Sequence, residues 1–503
     1  MRPSRRSPAP PFRTEGDPAL LRDAALIERD SCLGRGGVTV SIAAGQDVQG
    51  VPPEIAFALG RSAKEEEQMD LAEILLRRAL ESPDRQLRAR ADAHIAHLSY
   101  YRGLFVDGLD RATRAADGAF GLARLEALLY ASVNATALNR SAHALALAER
   151  ARQTLRMVKE RVLRDDARLR VSRQLAHVYV ARGEYVRATA EAESAAAAAR
   201  RLGSDRGLGI SAYIRGYVDW ARGDQGATAY LRRAAILWGG THHAFGRWTQ
   251  FVWGLALRDA GDASAGRGLQ AASRISLPWE EPLFALALGE KAEVPEIAGA
   301  PVDELPFREA ARGIVFLAKG DAERATQALA SAAAEFERCE LDHYRRGATL
   351  NLAAAHIGQG DRKRALTILR RETPALIEFG LRRWPWWYPP AVVDLANLAS
   401  MHSIGARHWT MLASSVKKQR PALRSLLVAQ GLSSRECEVV ERWLEHPEWS
   451  RRMLSRALGI SEASVRNHLG RVRRKLGVVR ERGAEALHRR LLRFQDTGGW
   501  RFV

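Results

Sequence analysis

The chain has 503 residues, 46% of them apolar, and a formal net charge of +19. That length and apolar share leave room for more than one buried core and exclude a chain too polar to fold. The basic balance points to a polyanionic partner and carries no information about fold. Cys32, Cys339 and Cys437 lie far apart with no C-x-x-C pair, so the sequence shows no disulfide framework and no paired-cysteine metal site. The N-terminus lacks the apolar run of a signal peptide, and no stretch approaches the ~18 apolar residues of a membrane helix. A cytoplasmic protein is expected.

Residues 1–60 are expected to be mostly irregular. Met1–Pro11 is basic and Pro-rich and buries too little to fold, and glycines recur through 31–50 around one short apolar alternation. A helix is expected only near Leu20–Arg29. Gly34-Arg-Gly-Gly37 lacks the spacing and lysine of a phosphate loop.

From 61 to 404 the pattern is helical and repetitive. An aromatic or small residue precedes a glycine, then polar residues, then an Ala-rich amphipathic segment. The turn positions are Gly103, Gly183, Gly223, Gly261, Gly320 and Gly360, and Asn139 fits as a further copy able to take the left-handed conformation. Spacings near forty residues, with one turn per helix pair, predict stacked helical hairpins. The segment resembles tetratricopeptide-like repeats, longer than the 34-residue standard, and is similar to the superhelical sensor region of MalT-like regulators. The resemblance implies a groove for a small molecule, peptide or protein.

The long interval 261–320, which holds five prolines, is expected to interrupt the repeats. Tyr213, Tyr217, Trp220, Trp238, Trp248 and Trp253 are candidates to line a groove, although most are expected in the repeat core. His94-x-x-His97 and His242-His243 have no third ligand nearby in sequence, so neither is assigned a metal. Arg382-Arg-Trp-Pro-Trp-Trp-Tyr-Pro-Pro390 cannot form an ordinary helix. A solenoid cap is favoured there, with a partner surface or a face toward the C-terminal module as alternatives. Residues 405–431 read as a polar, basic hinge.

Residues 432–495 carry the densest signal. Ser433 and Glu436 form a capping box, and Val439, Val440, Trp443 and Leu444 follow as the buried side of a first helix. Leu454, Leu458 and Ile460 belong to a second helix and a tight turn, with Gly459 placed to stop it. Ser461 can cap a third helix whose apolar stripe is Val465, Leu469, Val472 and Leu476. The opposite face carries Ala463, Asn467, Gly470, Arg471 and Arg474, with Arg466 and Arg473 on its flank. From Arg466 to Lys475 there are five cations and no acid. Such a helix suits the DNA major groove.

These residues resemble the LuxR-type helix-turn-helix: L432-S-S-R-E-C-E-V-V440, L454-S-R-A-L-G-I-S-E-A-S-V-R-N-H-L469 and V472-R-R-K-L-G-V478. The departures are a longer link at Glu445–Trp449, Ser455 in place of a small Ala, and Met453 in place of a second capping-box acid. The resemblance implies contact with double-stranded DNA through Ser461, Ala463, Ser464, Arg466, Asn467, Gly470, Arg471, Arg473, Arg474 and Lys475. Arg466 and Asn467 are the expected base readers, and Arg471, Arg473, Arg474 and Lys475 the expected phosphate contacts. A fourth helix bearing Ala484, Leu487, Leu491 and Phe494 would pair two subunits, so a homodimer is expected. Residues 496–503 are left as a tail.

No lysine is followed by Ser or Thr, which removes a P-loop, and no G-x-S-x-G or H-E-x-x-H occurs. Catalysis, cofactors and metals therefore have no support. The expected fold class is all-α: a tetratricopeptide-like solenoid followed by a four-helix LuxR-type module. The expected function is a transcription regulator whose repeats sense a ligand or protein. The alternative is a repeat scaffold whose last module binds protein.

Overall fold

The computed structural model describes residues 18–33, 50–224, 226–237, 244–259, 269, 280–288, 292–386, 388–418, 431–445 and 450–475. These form 22 α-helices and one short 3-10 turn, with no strand among the described residues. The protein is all-α. The chain divides into two compact units, Met1–Arg215 and Gly216–Val503.

In the first unit, α1 (Pro18–Cys32) precedes four antiparallel hairpins: α2 (Pro53–Glu65) with α3 (Met69–Ala79), α4 (Arg85–Tyr101) with α5 (Phe105–Ala116), α6 (Gly121–Ala137) with α7 (Ser141–Thr154), and α8 (Arg161–Ala181) with α9 (Tyr185–Leu202). α10 (Asp205–Arg222) and α11 (Ala227–Leu237) follow, then α12 (Ala244–Asp259) and α13 (Glu281–Leu288). The second unit continues with α14 (Leu305–Lys319) and α15 (Ala322–Arg338), α16 (Asp342–Gly358) and α17 (Arg362–Glu378), and α18 (Pro389–Met401) and α19 (Ala406–Lys418).

One turn is reused within the hairpins. Gly103, Asn139, Gly183, Gly223, Gly320 and Gly360 all adopt positive φ, between 58° and 84°. In each, the next backbone N–H reaches a carbonyl five residues back, as in Glu184 to Tyr179 at 2.8 Å and Asp361 to His356 at 2.9 Å. This satisfies carbonyls that a helix end would otherwise leave bare. Asp321 and Asp361 then cap the following helix, their side chains accepting from the N–H groups of Arg324 and Arg364. Gly-Asp is thus a stop and a start in two residues. Gly261 lies outside the described residues, and Glu67, at φ 63°, makes the same turn without a glycine.

The hairpins cross closely because small residues face large ones. A Cβ on Gly60 would fall 2.9 Å from Leu76 Cγ, on Gly216 2.8 Å from Leu231, on Gly254 2.7 Å from Leu269 and on Gly313 2.4 Å from Leu329. All four leucines are buried, so the missing Cβ sets the helix spacing.

Three expectations change. The repeats begin at Pro53, inside the stretch expected to be irregular. α2 is buried on nearly every side. Residues 406–418, expected in a hinge, form α19, which pairs with α18 and buries Trp409 and Leu412 completely. The segment 382–388 is not a terminal cap, because a further hairpin follows it. It is wedged inside the second unit: Trp384 and Tyr388 are buried, and Asn351 donates to the Trp386 carbonyl at 3.0 Å. The N–H groups of Arg382 and Arg383 both donate to the Ala221 carbonyl, at 2.8 and 2.9 Å, and Arg383 pairs with Asp259. Finally, residues 292–304 carry no helix, in keeping with the expected interruption. Of the expected groove aromatics, Tyr213 and Trp220 are buried, Tyr217, Trp248 and Trp253 are half-buried, and Trp238 lies outside the described residues.

His94 and His97 are core residues. Lys64 Nζ lies 3.0 and 3.2 Å from their Nδ1 atoms and 3.0 Å from the Tyr130 hydroxyl. Burial pushes His94 down to about 3 and Lys64 down to about 7. No group of residues that could hold a metal occurs among the described residues. His242 and His243 are outside them. Beside this cluster, Arg61 is fully buried between Glu28 of α1 and Asp166 of α8, so α1 is held by charge as well as by packing.

Candidate DNA-binding site

The described residues of the C-terminal module form three short helices, α20 (Ser434–Glu445), α21 (Arg451–Leu458) and α22 (Glu462–Lys475). Each start is capped by a serine. The Ser433 N–H donates to Glu436 Oε2 at 2.7 Å, and the Glu436 N–H returns to Ser433 Oγ at 3.3 Å, completing the expected box. Ser450 caps α21 through the Met453 N–H, with no acid to reciprocate. Ser461 caps α22 through the Ser464 N–H at 3.1 Å. Gly459, at φ 63°, ends α21 in the left-handed region and sets the turn between the second and third helices.

Leu432, Cys437, Val439, Val440, Trp443, Leu454, Leu458, Val465 and Val472 form the buried core of this module, with Leu469 half-buried. Leu476 and the link 446–449 lie outside the described residues. Ser455 is accommodated because its hydroxyl donates to the Ile460 carbonyl, so its polarity is spent on the turn. Arg435 donates to the Leu458 carbonyl at 2.7 Å, closing the exposed end of α21 from the neighbouring helix. In the sequence Arg435 appears only as a letter of the motif, and this bridge depends on the crossing of two helices.

The outer face of α22 is open. Ser461, Ala463, Arg466, Asn467, Gly470, Arg471 and Arg474 are exposed, whereas Ser464 and Arg473 are half-buried. A Cβ on Gly470 would meet nothing within 4 Å. Arg466, Arg471 and Arg474 have no ion-pair partner among the described residues. A short-chained face flanked by uncompensated guanidinium groups can enter a groove and neutralise phosphates on either side.

Lys475, expected at a phosphate, also makes bonds inside the module. Its Nζ donates to the Gly431 carbonyl and to Glu436 Oε2, each at 2.7 Å. Burial works to raise the Glu436 pKa, but the hydrogen bonds from Lys475 and Ser433 outweigh it and hold the carboxyl below its ordinary value. Lys475 therefore ties the end of α22 to the start of α20. The expected pairing residues Ala484, Leu487, Leu491 and Phe494 lie outside the described residues.

Capping, turn and exposed third helix define a helix-turn-helix module. Residues 430–484 match the family of bacterial regulatory proteins, luxR family, and form a LuxR-type (GerE) helix-turn-helix domain; the module is that of a DNA-binding regulator. No curated protein matches the chain significantly. Among solved structures, the apo form of the quorum sensor NprR from B. thuringiensis is 12% identical, with 71% of this chain and 97% of that chain covered at a TM-score of 0.37. A signal transduction ATPase with numerous domains and a tetratricopeptide repeat sensor, from Pyrococcus horikoshii, is 13% identical over 72% of this chain and 55% of that one, at 0.34. A Rap protein complexed with competence and sporulation factor is 11% identical over 90% and 98%, at 0.22. At such scores these likenesses carry no weight, and the repeat architecture rests on the hairpins described above. No described helix is long and apolar enough to cross a membrane.

Proposed function

We propose that the protein is a sequence-specific transcription regulator of the cytoplasm, acting as a homodimer, in which the helical hairpins sense a ligand or protein and control the C-terminal module. The observation that carries this reading is the outer face of α22, with Arg466 and Asn467 exposed and cations uncompensated beside them. Arg466 suits the O6 and N7 edge of guanine, and Asn467 the N6 and N7 edge of adenine. Arg471, Arg473 and Arg474 hold phosphates, setting register and supplying salt-dependent affinity. The α18–α19 hairpin ends at Lys418 and α20 begins at Ser434, so residues 419–433 are the stretch left to connect sensor and reader.

The test is selection from a random duplex pool by the full-length protein, beside Arg466→Ala/Asn467→Ala. An enriched inverted repeat that the variant fails to select supports a dimeric reader. Equal, weak retention of every sequence by both proteins at physiological salt sinks it in favour of the scaffold.

A further inference from the structure

Several surface arginines of this protein face an acid three or four residues away, as in Arg77 with Glu73, Arg187 with Glu184 and Arg338 with Glu335. One place in the first unit instead gathers arginines around a cavity. A cavity of about 690 Å³ lies between the end of α7, the 3-10 turn Leu155–Met157, α8 and the end of α9, and six of its eight lining residues are arginines. Arg161, Arg164 and Arg168 enter from one face of α8, at the three- and four-residue spacing that aligns side chains on a helix.

The acids near this cavity are already committed. Asp165, its one acidic lining residue, accepts from both Arg201 Nε and Nη2, at 3.0 and 2.8 Å, and those bonds hold its carboxyl below the ordinary range. Glu160 caps α8 by accepting from the Val162 and Leu163 N–H groups. Asp166 turns inward to Arg61 and Arg170. Arg152 is paired with Glu149 and Glu191. Arg156 and Arg164 make no ion pair among the described residues, and Arg161 has only a longer-range attraction to Asp165. Their mutual repulsion around one concavity is unfavourable unless an anion fills it, and the guanidinium fork binds phosphate through two parallel hydrogen bonds.

We propose that this cavity binds a small molecule carrying two or more phosphate groups. Its volume falls in the range of small-ligand sites, and its charge density suits a compact multivalent anion. As an effector site it rests on the regulatory reading; the binding itself does not depend on it.

The experiment is calorimetric titration of the full-length protein with inorganic tripolyphosphate, pyrophosphate and orthophosphate at physiological salt. Saturable binding at one site per chain is expected, strongest for tripolyphosphate. Arg161→Gln/Arg164→Gln is expected to weaken it by about tenfold or more, and Arg466→Ala/Arg474→Ala to leave it unchanged. A nucleoside triphosphate titrated in parallel separates a nucleotide from a bare polyphosphate as the source of the phosphates. Unaltered affinity in the cavity variant, loss only in the α22 variant, or equal competition by hexaglutamate or random duplex overturns the proposal. Arg161→Lys/Arg164→Lys keeps the charge and removes the fork; with an unchanged circular dichroism spectrum it is expected to bind more weakly. Should the glutamine variant not fold, undiminished binding by the lysine variant overturns the proposal on its own. Retained tripolyphosphate binding without any selected operator would leave the site standing while the regulatory reading falls.

Discussion

Lys475 separates what the module's fold needs from what DNA contact needs. Its ammonium donates two bonds of 2.7 Å, to Gly431 and to Glu436, across the seam between α20 and α22. A charge-assisted bond contributes ~1.5–3 kcal/mol when buried, but the Lys475 side chain is 37% exposed, which screens the pair toward the ~0–1 kcal/mol of surface ion pairs. Lys475→Met is therefore expected to cost about 1–2 kcal/mol in opening of the module, roughly a five- to thirty-fold rise in local hydrogen exchange. Glu436→Ala should cost about 1 kcal/mol more, because the capping bond to Ser433 is lost as well. Mass-resolved exchange of peptides from 434–445 and 462–475 in the full-length protein reads this locally, avoiding a global melting point that several domains would blur. The sign of the pH dependence is set by the lowered Glu436 pKa. The contribution is fully present above the unfolded carboxyl pKa near ~4.3 and is lost as pH falls through the lower folded value. Unchanged exchange in Lys475→Met, with an equal loss of affinity for every duplex and a shallower salt slope, would refute the clamp and return Lys475 to the phosphate set.

Other expectations can be checked separately. Arg466→Ala should cost ~1–3 kcal/mol at one base position and relax preference there, and an equal loss on all sequences in a binding titration would contradict base reading. Arg474→Ala should weaken all duplexes alike and reduce the salt slope by roughly one; a changed consensus would count against it. Gly313→Ala places a methyl 2.4 Å from Leu329 Cγ, and overpacking of about 1–3 kcal/mol should outweigh the ~1 kcal/mol gain in helix propensity. Exchange in peptides of α14 and α15 measures the loss, and Leu329→Ala in the same chain should cost less than it does alone. Burial depresses Lys64 to about 7, so between that pH and ~10.4 the folded state binds fewer protons than the unfolded one. Relative to Lys64→Met, the natural protein should gain stability as pH rises from about 6 to 9, and a difference in melting temperature that stays constant with pH would exclude it.

The local chemistry of this protein is written in its residues. Gly-Asp pairs announce the hairpin turns because only a left-handed residue followed by a cap can stop one helix and start the next within two positions. Ser433, Glu436, Gly459 and Ser461 likewise act through bonds to backbone at most three residues away, so the helix-turn-helix is legible without coordinates. The pairing of Gly60 with Leu76 and of Gly313 with Leu329 leaves a trace in the sequence, a glycine followed by a leucine 16 residues on.

Other features depend on which helices meet. α2 is buried by its neighbours on nearly every side, and residues 406–418 look like a linker until Thr373 of α17 and Trp384 meet Trp409. The Trp/Pro stretch is placed by Ala221 and Asn351, residues over 150 and over 30 positions away. The bonds of Lys475 and Arg435 depend on the tertiary structure for the same reason. A long cation reads as a phosphate or solvent group in sequence, and only the approach of Glu436 or the Leu458 carbonyl turns it into a clamp. Periodicity and capping act over one turn of chain, and the sequence by itself therefore determined the helices, their turns and the exposed face of the third helix of the C-terminal module. Charge and close packing act through space, and only the tertiary structure decided which of the arginines and lysines remain open to a polyanion.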